Sequence, residues 1–203
     1  MTGSPPAVTL RFEELSDEAL LSLAERDKEC FYALMKRYEK KLSAYIRRTA
    51  ILNREDAEDI LQEVYLKVYR NQKGFNPDLK FSNWIYRITR NEVITMMRKK
   101  KSRAGIVSID DTDHDMDGLK HLLADAGDLQ ETYLTEERAS RIRKALFEIS
   151  DKYREVLVLR YFEDKSYDEI GDILKIPQGT VATLVNRAKK QVEKIAKRIN
   201  LME

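Results

Sequence analysis

The sequence predicts an all-α chain of two small helical domains joined by a flexible acidic linker. Three observations predict it. Glycine and proline number only seven and four in 203 residues, so turn-makers are scarce and helix formers prevail. Apolar residues recur at spacings of three and four along most of the chain, and no long stretch alternates as a half-buried strand would. Residues 103–134 lose that period; they carry Gly105, Gly118, Gly127 and a run of Asp, and they are long for a connection inside a compact domain. The expected organisation is a disordered start (1–12), a first domain (13–102), a linker (103–134) and a second domain (135–203).

Each element has a local reason. Ser16 is placed to cap a first helix, with Asp17 and Glu18 in its first turn. A second helix runs from about Lys28 to Ile51, striped by Phe31, Leu34, Met35, Tyr38, Leu42, Tyr45 and Ile46. A third opens near Asn53 and runs to Gln72, with Ile60, Leu61, Val64, Tyr65 and Val68 on its apolar side and Gly74 suited to a left-handed exit. Phe75–Phe81 reads as a loop because Asn76, Pro77 and Asp78 break helix. Ser82 is read as the cap of a fourth helix carrying Trp84, Ile85, Ile88 and Val93. Within the linker a short turn is expected around Leu119 to Leu123. Ala139, Ile142, Leu146 and Ile149 stripe the next helix, and Ser150 is placed to cap its successor. Ser166 and Glu169 have capping-box spacing for a short helix ending at Leu174. Lys175–Ile176–Pro177 then turns the chain into a last helix from about Gln178 to the end.

The net charge is only +2, so its distribution says more than its sum. One basic block spans Arg98 to Arg103, another Arg187 to Arg198, and the acidic linker lies between them. That pattern points to polyanion contacts at two places. Cys30 is the single cysteine; it stands among apolar residues and reads as core. MTGSPPAVTL does not read as a signal peptide, and no apolar run approaches the ~20 residues of a membrane span. A soluble, cytoplasmic protein without membrane insertion is expected. No phosphate-cradling glycine loop or metal cluster is present, and His114 and His121 both fall in the linker. No cofactor, no metal and no catalytic residue are expected.

Two surfaces carry the functional reading. The segment SYDEIGDILKIPQGTVATLVNRAKK (Ser166–Lys190) has the short helix, tight turn and basic second helix of a helix-turn-helix. Gly171 allows close approach of its helices, and Thr180 sits in the first turn of the second, where a phosphate can be held. Gln178, Ala182, Thr183, Asn186, Arg187 and Lys190 lie off the apolar stripe. Thr183 and Asn186 are candidates to read base edges, and Arg187 and Lys190 to take bases or phosphates. In the first domain, Asp56, Asp59, Gln62 and Glu63 lie beside Leu66 on the polar face of the third helix. Acidic groups there repel DNA, so that face wants a basic protein partner. Around the loop and fourth helix, Phe75, Phe81, Trp84 and Tyr86 interleave with Lys80, Arg87, Arg90 and Asn91, a composition for holding single-stranded nucleic acid.

DAEDILQEVYLKVYR (Asp56–Arg70) and FSNWIYRITRNEVITMMRKK (Phe81–Lys100) resemble conserved region 2 of the extracytoplasmic-function sigma factors of bacterial RNA polymerase. ALFEISDKYREVLVLRYFEDKSYDEIGDILKIPQGTVATLVNRAKK (Ala145–Lys190) resembles their region 4. The resemblance implies a non-catalytic specificity subunit that binds core RNA polymerase and promoter DNA. Asp56, Asp59, Gln62, Glu63 and Leu66 would dock on polymerase. Asn76, Lys80, Phe81, Trp84, Arg87, Asn91 and Arg98 would capture the single-stranded −10 element. Gln178, Thr180, Ala182, Thr183, Asn186, Arg187 and Lys190 would hold the duplex −35 element. It also implies an anti-sigma factor as a further partner. The chain departs from the family pattern at Ile149–Ser150, where Leu-Pro is usual, at Thr95, and at Ala182 and Leu184, where arginine is common. The alternatives are a stand-alone regulator that binds a palindromic duplex site as a dimer through residues 135–203, and a sigma-shaped adaptor or decoy that starts no transcription.

Overall fold

A computed structural model describes residues 12–103, 142 and 144–198. Among them the architecture is all-α, as the sequence predicts. A one-turn 3-10 helix, Phe12–Glu14, leads into α1 (Asp17–Leu23), α2 (Lys28–Thr49), α3 (Arg54–Asn71) and α4 (Phe81–Arg103), which form a first lobe. Helical residues 144–147, α5 (Asp151–Tyr161), α6 (Tyr167–Leu174) and α7 (Gln178–Arg198) form a second. The lobes meet where α4 packs on α6 and α2 packs on α5. The expected linker and its short turn lie outside the described residues, as do residues 1–11.

The first lobe follows from its stripes and caps. The Ser16 side chain accepts from the Ala19 N–H at 3.1 Å, Asp27 from Glu29 at 2.9 Å and Asn53 from Asp56 at 2.7 Å. Each cap satisfies a donor that the helix start leaves orphaned, for about 1 kcal/mol. Cys30, Leu34, Leu42 and Ile46 of α2 meet Ile60, Val64 and Val68 of α3 and Ile85 of α4 in one buried cluster. Each such aliphatic burial contributes about 1.5–3 kcal/mol. Polar ties fix the helices laterally. Asp17 of α1 accepts from both Arg37 and Tyr38 of α2. Lys67 of α3 donates to Glu92 of α4 at 2.5 Å, and Lys100 of α4 donates to Asp56 of α3.

The second lobe is organised by one buried arginine. Arg154 of α5 is 2% exposed. It donates to the carbonyls of Leu146 (2.8 Å), Phe147 (3.4 Å) and Ile149 (3.1 Å), closing the C-terminal end of the preceding helical turn. Its guanidinium stacks on Phe147, bonds Asp151, and reaches the Thr49 carbonyl at the end of α2 at 3.0 Å. The rigid five-donor fork of arginine suits this task.

Five local expectations are corrected. Gly74 does not adopt a left-handed conformation; α3 tightens instead into a 3-10 turn, Gln72–Gly74, and a Cβ at Gly74 would meet nothing within 4 Å. Ser82 is not a cap, because α4 already begins at Phe81, whose N–H is held by Glu18 Oε1 at 2.8 Å; the Ser82 hydroxyl accepts from Lys165. Ser150 occupies the N-cap of α5, yet its hydroxyl makes no capping bond and is buried without a partner. Ile142 is 46% exposed and does not join the core that Leu146 and Ile149 enter. Helix α2 also stops at Thr49, two residues before the expected end, because Ala50 is already extended.

Candidate nucleic-acid interface

The helix-turn-helix is built as its sequence requires. The Ser166 hydroxyl accepts from Glu169 N–H at 3.2 Å, and the Glu169 carboxylate accepts from Ser166 N–H at 2.8 Å, a complete capping box. Helix α6 ends on Lys175, which is left-handed at φ 58. A Cβ on Gly171 would stand 2.9 Å from the Ile176 carbonyl oxygen. Glycine is therefore needed for the close approach of backbone at the turn, not for its own φ. Pro177 accepts from the N–H groups of Thr180 and Val181 as α7 begins. Val181, Val185 and Ala188 are buried, while Gln178, Thr180, Thr183, Asn186, Arg187 and Lys190 are exposed and Ala182 is half-buried. Thr183 Oγ1 donates to the Gly179 carbonyl at 3.0 Å, so its hydroxyl is oriented along the helix. Among the described residues, neither Arg187 nor Lys190 pairs with a carboxylate.

On α3, Asp59, Gln62, Glu63 and Leu66 form an exposed stripe, and Tyr69 continues it one turn on, 45% exposed. An apolar pair set in an acidic face is the composition of a docking surface for a basic partner. Asp56 stands apart from this stripe, half-buried and occupied by Lys100. Sequence reasoning missed Tyr69; its spacing of three from Leu66 was the available signal.

The stripe along α4 is only partly open. Asn76, Asn91 and Arg98 are exposed, and Asn76 Oδ1 accepts from Asp78 N–H at 3.0 Å, shaping the loop. Phe81 is fully buried, edge-on to Tyr38 at 5.4 Å and to Trp84 at 5.8 Å. It offers no face to a base in this arrangement and instead supports Trp84, which also packs on Phe75 at 5.1 Å. Lys80 and Arg87 are engaged by the second lobe. Lys80 Nζ lies 2.8 Å from Glu169, and Arg87 lies 3.4 Å from Asp172, which Asn83 also contacts at 3.3 Å. Behind them, Arg90 donates to Glu155 at 2.8 Å and Tyr86 to Glu163 at 2.5 Å, while Arg48 of α2 reaches Glu163 at 3.1 Å.

The electrostatics follow from this seam. Burial pushes the Glu155 carboxyl up, and Arg90 and Tyr45 pull it back without fully offsetting the loss of water. Burial also raises Glu169, but hydrogen bonds from Lys80 and from the Ser166 backbone and hydroxyl outweigh it and hold the carboxyl at about 2. Lys165 is nearly buried against the Tyr86 ring, 4.9 Å from its centroid, and burial lowers its pKa.

Comparison with known proteins assigns the class. The family description Sigma-70 region 2 matches residues 34–103, and Sigma-70, region 4 matches residues 139–192. The two matches fall on the first and second lobes in order, which defines a chain of the sigma-70 type. The ECF RNA polymerase sigma factor SigW of Bacillus subtilis is 30% identical over 182 residues, covering 90% of this chain and 97% of the relative. The ECF RNA polymerase sigma-E factor of Haemophilus influenzae is 28% identical, covering 89% and 95%. The chain belongs to the extracytoplasmic-function sigma factors of RNA polymerase. Its fold is also that of CnrH, solved in complex with the cytosolic domain of CnrY, with a TM-score of 0.65 at 18% identity over 90% of this chain and 97% of that one. The sigma factor RpoE of Bartonella quintana, solved with the anti-sigma factor NepR, aligns with a TM-score of 0.58 at 23% identity, over 78% and 91%. Among the described residues no helix is long and apolar enough to cross a membrane, and no group of side chains is arranged to hold a metal ion.

Proposed function

We propose that this chain binds core RNA polymerase and directs promoter-specific initiation, with α3 docking on the polymerase, the α4 stripe and its preceding loop holding the separated −10 strand, and α7 lying in the major groove of the −35 element. The observation that carries this reading is the order of three surfaces in one chain: an acidic-apolar face on α3, a cation–aromatic stripe on α4, and an exposed basic face on α7. A stand-alone duplex binder has use only for the third.

The division of labour follows from energetics. Flipping a base from the stack costs a few kcal/mol, and stacking on an aromatic returns about 1–3 kcal/mol per base. The exposed part of Trp84, with Asn91 and Arg98 along the strand, roughly balances one or two flipped bases. The remaining free energy comes from polymerase contacts. The chain supplies positioning and recognition, and the polymerase supplies the chemistry. The α7 contacts sort by type. Thr183 and Asn186 face base edges, Arg187 and Lys190 take bases or backbone, and Gln178 and Thr180 hold phosphate at the helix start. An anti-sigma factor, the kind of partner named for the RpoE neighbour, is the regulator this reading expects, and the cytoplasm is its place of action.

Run-off transcription with purified core polymerase on a genomic library tests the reading. New start sites preceded by a shared pair of elements are expected. A polymerase that gains no start sites from the chain would overturn it, and a tight palindromic footprint without polymerase would favour the duplex regulator.

A further inference from the structure

Helix α7 is longer than the groove assigned to it. Its 21 residues span roughly 32 Å at about 1.5 Å per residue, whereas the major groove is about 12 Å wide and curves away from a straight rod. The candidate base readers, Thr183 and Asn186, both stand in its first half. The second half is held as firmly as the first. Val181, Val185 and Ala188 are buried, and Val192 and Ile195 pack on the same core. Spacings of four and three thus keep one face of α7 against the lobe along its length. Arg198 donates to Glu148, which ties down the C-terminal end. The opposite face runs Thr183, Asn186, Lys190, Lys194 and Lys197, again at spacings of three and four, and all five are exposed. The line that carries the base readers therefore continues as a row of cations.

Counted from Asn186, Lys194 and Lys197 lie roughly 12 and 17 Å further along the axis. That exceeds half the groove width, so their side chains stand over the sugar–phosphate rim rather than the base edges. Among the described residues Lys194 pairs with no carboxylate. Lys197 meets Glu193, the single acid of α7, at 3.1 Å, with both side chains more than half exposed. A surface pair of that kind is worth little and yields to a phosphate. We propose that the C-terminal half of α7 is a sequence-independent DNA clamp: Lys194 and Lys197, continuing from Lys190, grip phosphates of the duplex beside the −35 element, so the chain holds more DNA than it reads. This rests on the placement of α7 proposed above. An ammonium on a flexible stem suits a phosphate and carries no base code.

The test uses the full chain, first alone and then with core polymerase. Lys194→Ala with Lys197→Ala removes two exposed cations and leaves a strong helix former at each position, so the fold is kept. Lys36→Ala with Lys40→Ala, both exposed on α2, is the control of equal charge change. On a fluorescent duplex of about 40 base pairs and mixed sequence, the salt slope of binding should fall by about two in the α7 variant and by less than about one half in the control. Glu193→Gln takes the competing carboxylate from Lys197 and should raise affinity instead. With polymerase, the α7 variant should start at the same sites as wild type, because its base readers are intact. On a promoter recovered in that way, ethylation interference should lose phosphates outside the −35 element that matter to wild type. Equal slopes in variant and control, a weaker Glu193→Gln chain, altered start-site sequences or an unchanged ethylation pattern would each overturn the clamp. Start sites with an unchanged pattern would refute the clamp alone, and a wild-type chain that yields no start sites would refute the promoter role itself.

Discussion

Single residues carry much of the second lobe. Arg154 closes three carbonyls of the preceding turn and one of α2. Arg154→Met leaves these acceptors buried and unpaired, and a loss of about 3 kcal/mol or more is expected in chemical denaturation. Arg154→Lys should not rescue it, because one ammonium cannot reach acceptors spread around the edges of the planar guanidinium. Gly171→Ala places a methyl 2.9 Å from the Ile176 carbonyl oxygen, a backbone atom that cannot swing aside. A loss of about 1–3 kcal/mol is expected, read as a lower thermal midpoint with α7 displaced. Neither role was equally visible beforehand. The need for a small residue at Gly171 follows from its place four residues before the turn. The role of Arg154 does not, since its acceptors are scattered over three segments and no spacing announces them.

At the scale of elements, the helices were legible wherever the signal was local. The Ser166–Glu169 capping box, the Asn53 cap and the α2 stripe are patterns within seven residues of themselves, and the structure contains each of them. Failures arose where a distant partner intervened. Ser82 looks like a cap until Glu18 takes the Phe81 N–H and Lys165 takes the serine hydroxyl. Phe81 looks like a stacking platform until Tyr38 and Trp84 enclose it. The α3 stripe makes a clean prediction because, among the described residues, no ion pair or hydrogen bond occupies the side chains of Asp59, Gln62 or Glu63. Glu63→Lys should weaken core-polymerase binding at least about 10-fold in a pull-down titration, as like charges meet across the interface. Asp56→Asn should weaken it less and lower thermal stability instead, since Asp56 is engaged by Lys100.

For the whole molecule, what the sequence hid was the seam between lobes. Hydrophobic periodicity reports which face of a helix is covered, not which lobe covers it, so Tyr45, Tyr86, Glu155 and Glu163 gave no advance sign of meeting. The seam makes closure sensitive to pH in a definite window. Glu169 has a carboxyl held at about 2 against an ordinary value of 4.5. A depressed carboxylate contributes stability that is complete above its unfolded value and is lost as pH falls through the folded one. Inter-lobe distance should therefore stay constant at neutral pH and lengthen between about 4.5 and about 2. Glu169→Gln should flatten that transition in the same measurement, while an unaltered profile would assign the acid sensitivity elsewhere.

The basic face of α7 lies open even while the seam is shut, with Asn186, Arg187 and Lys190 all in solvent. On the proposed roles the two grips are unequal in readiness: α7 offers an open face, while Lys80 and Arg87 of the other are paired across the seam. On the proposed roles, such a chain would sample duplex DNA through α7 before it engages an unpaired strand. Lys190→Ala should lower the salt slope of that sampling by about one and leave strand capture untouched.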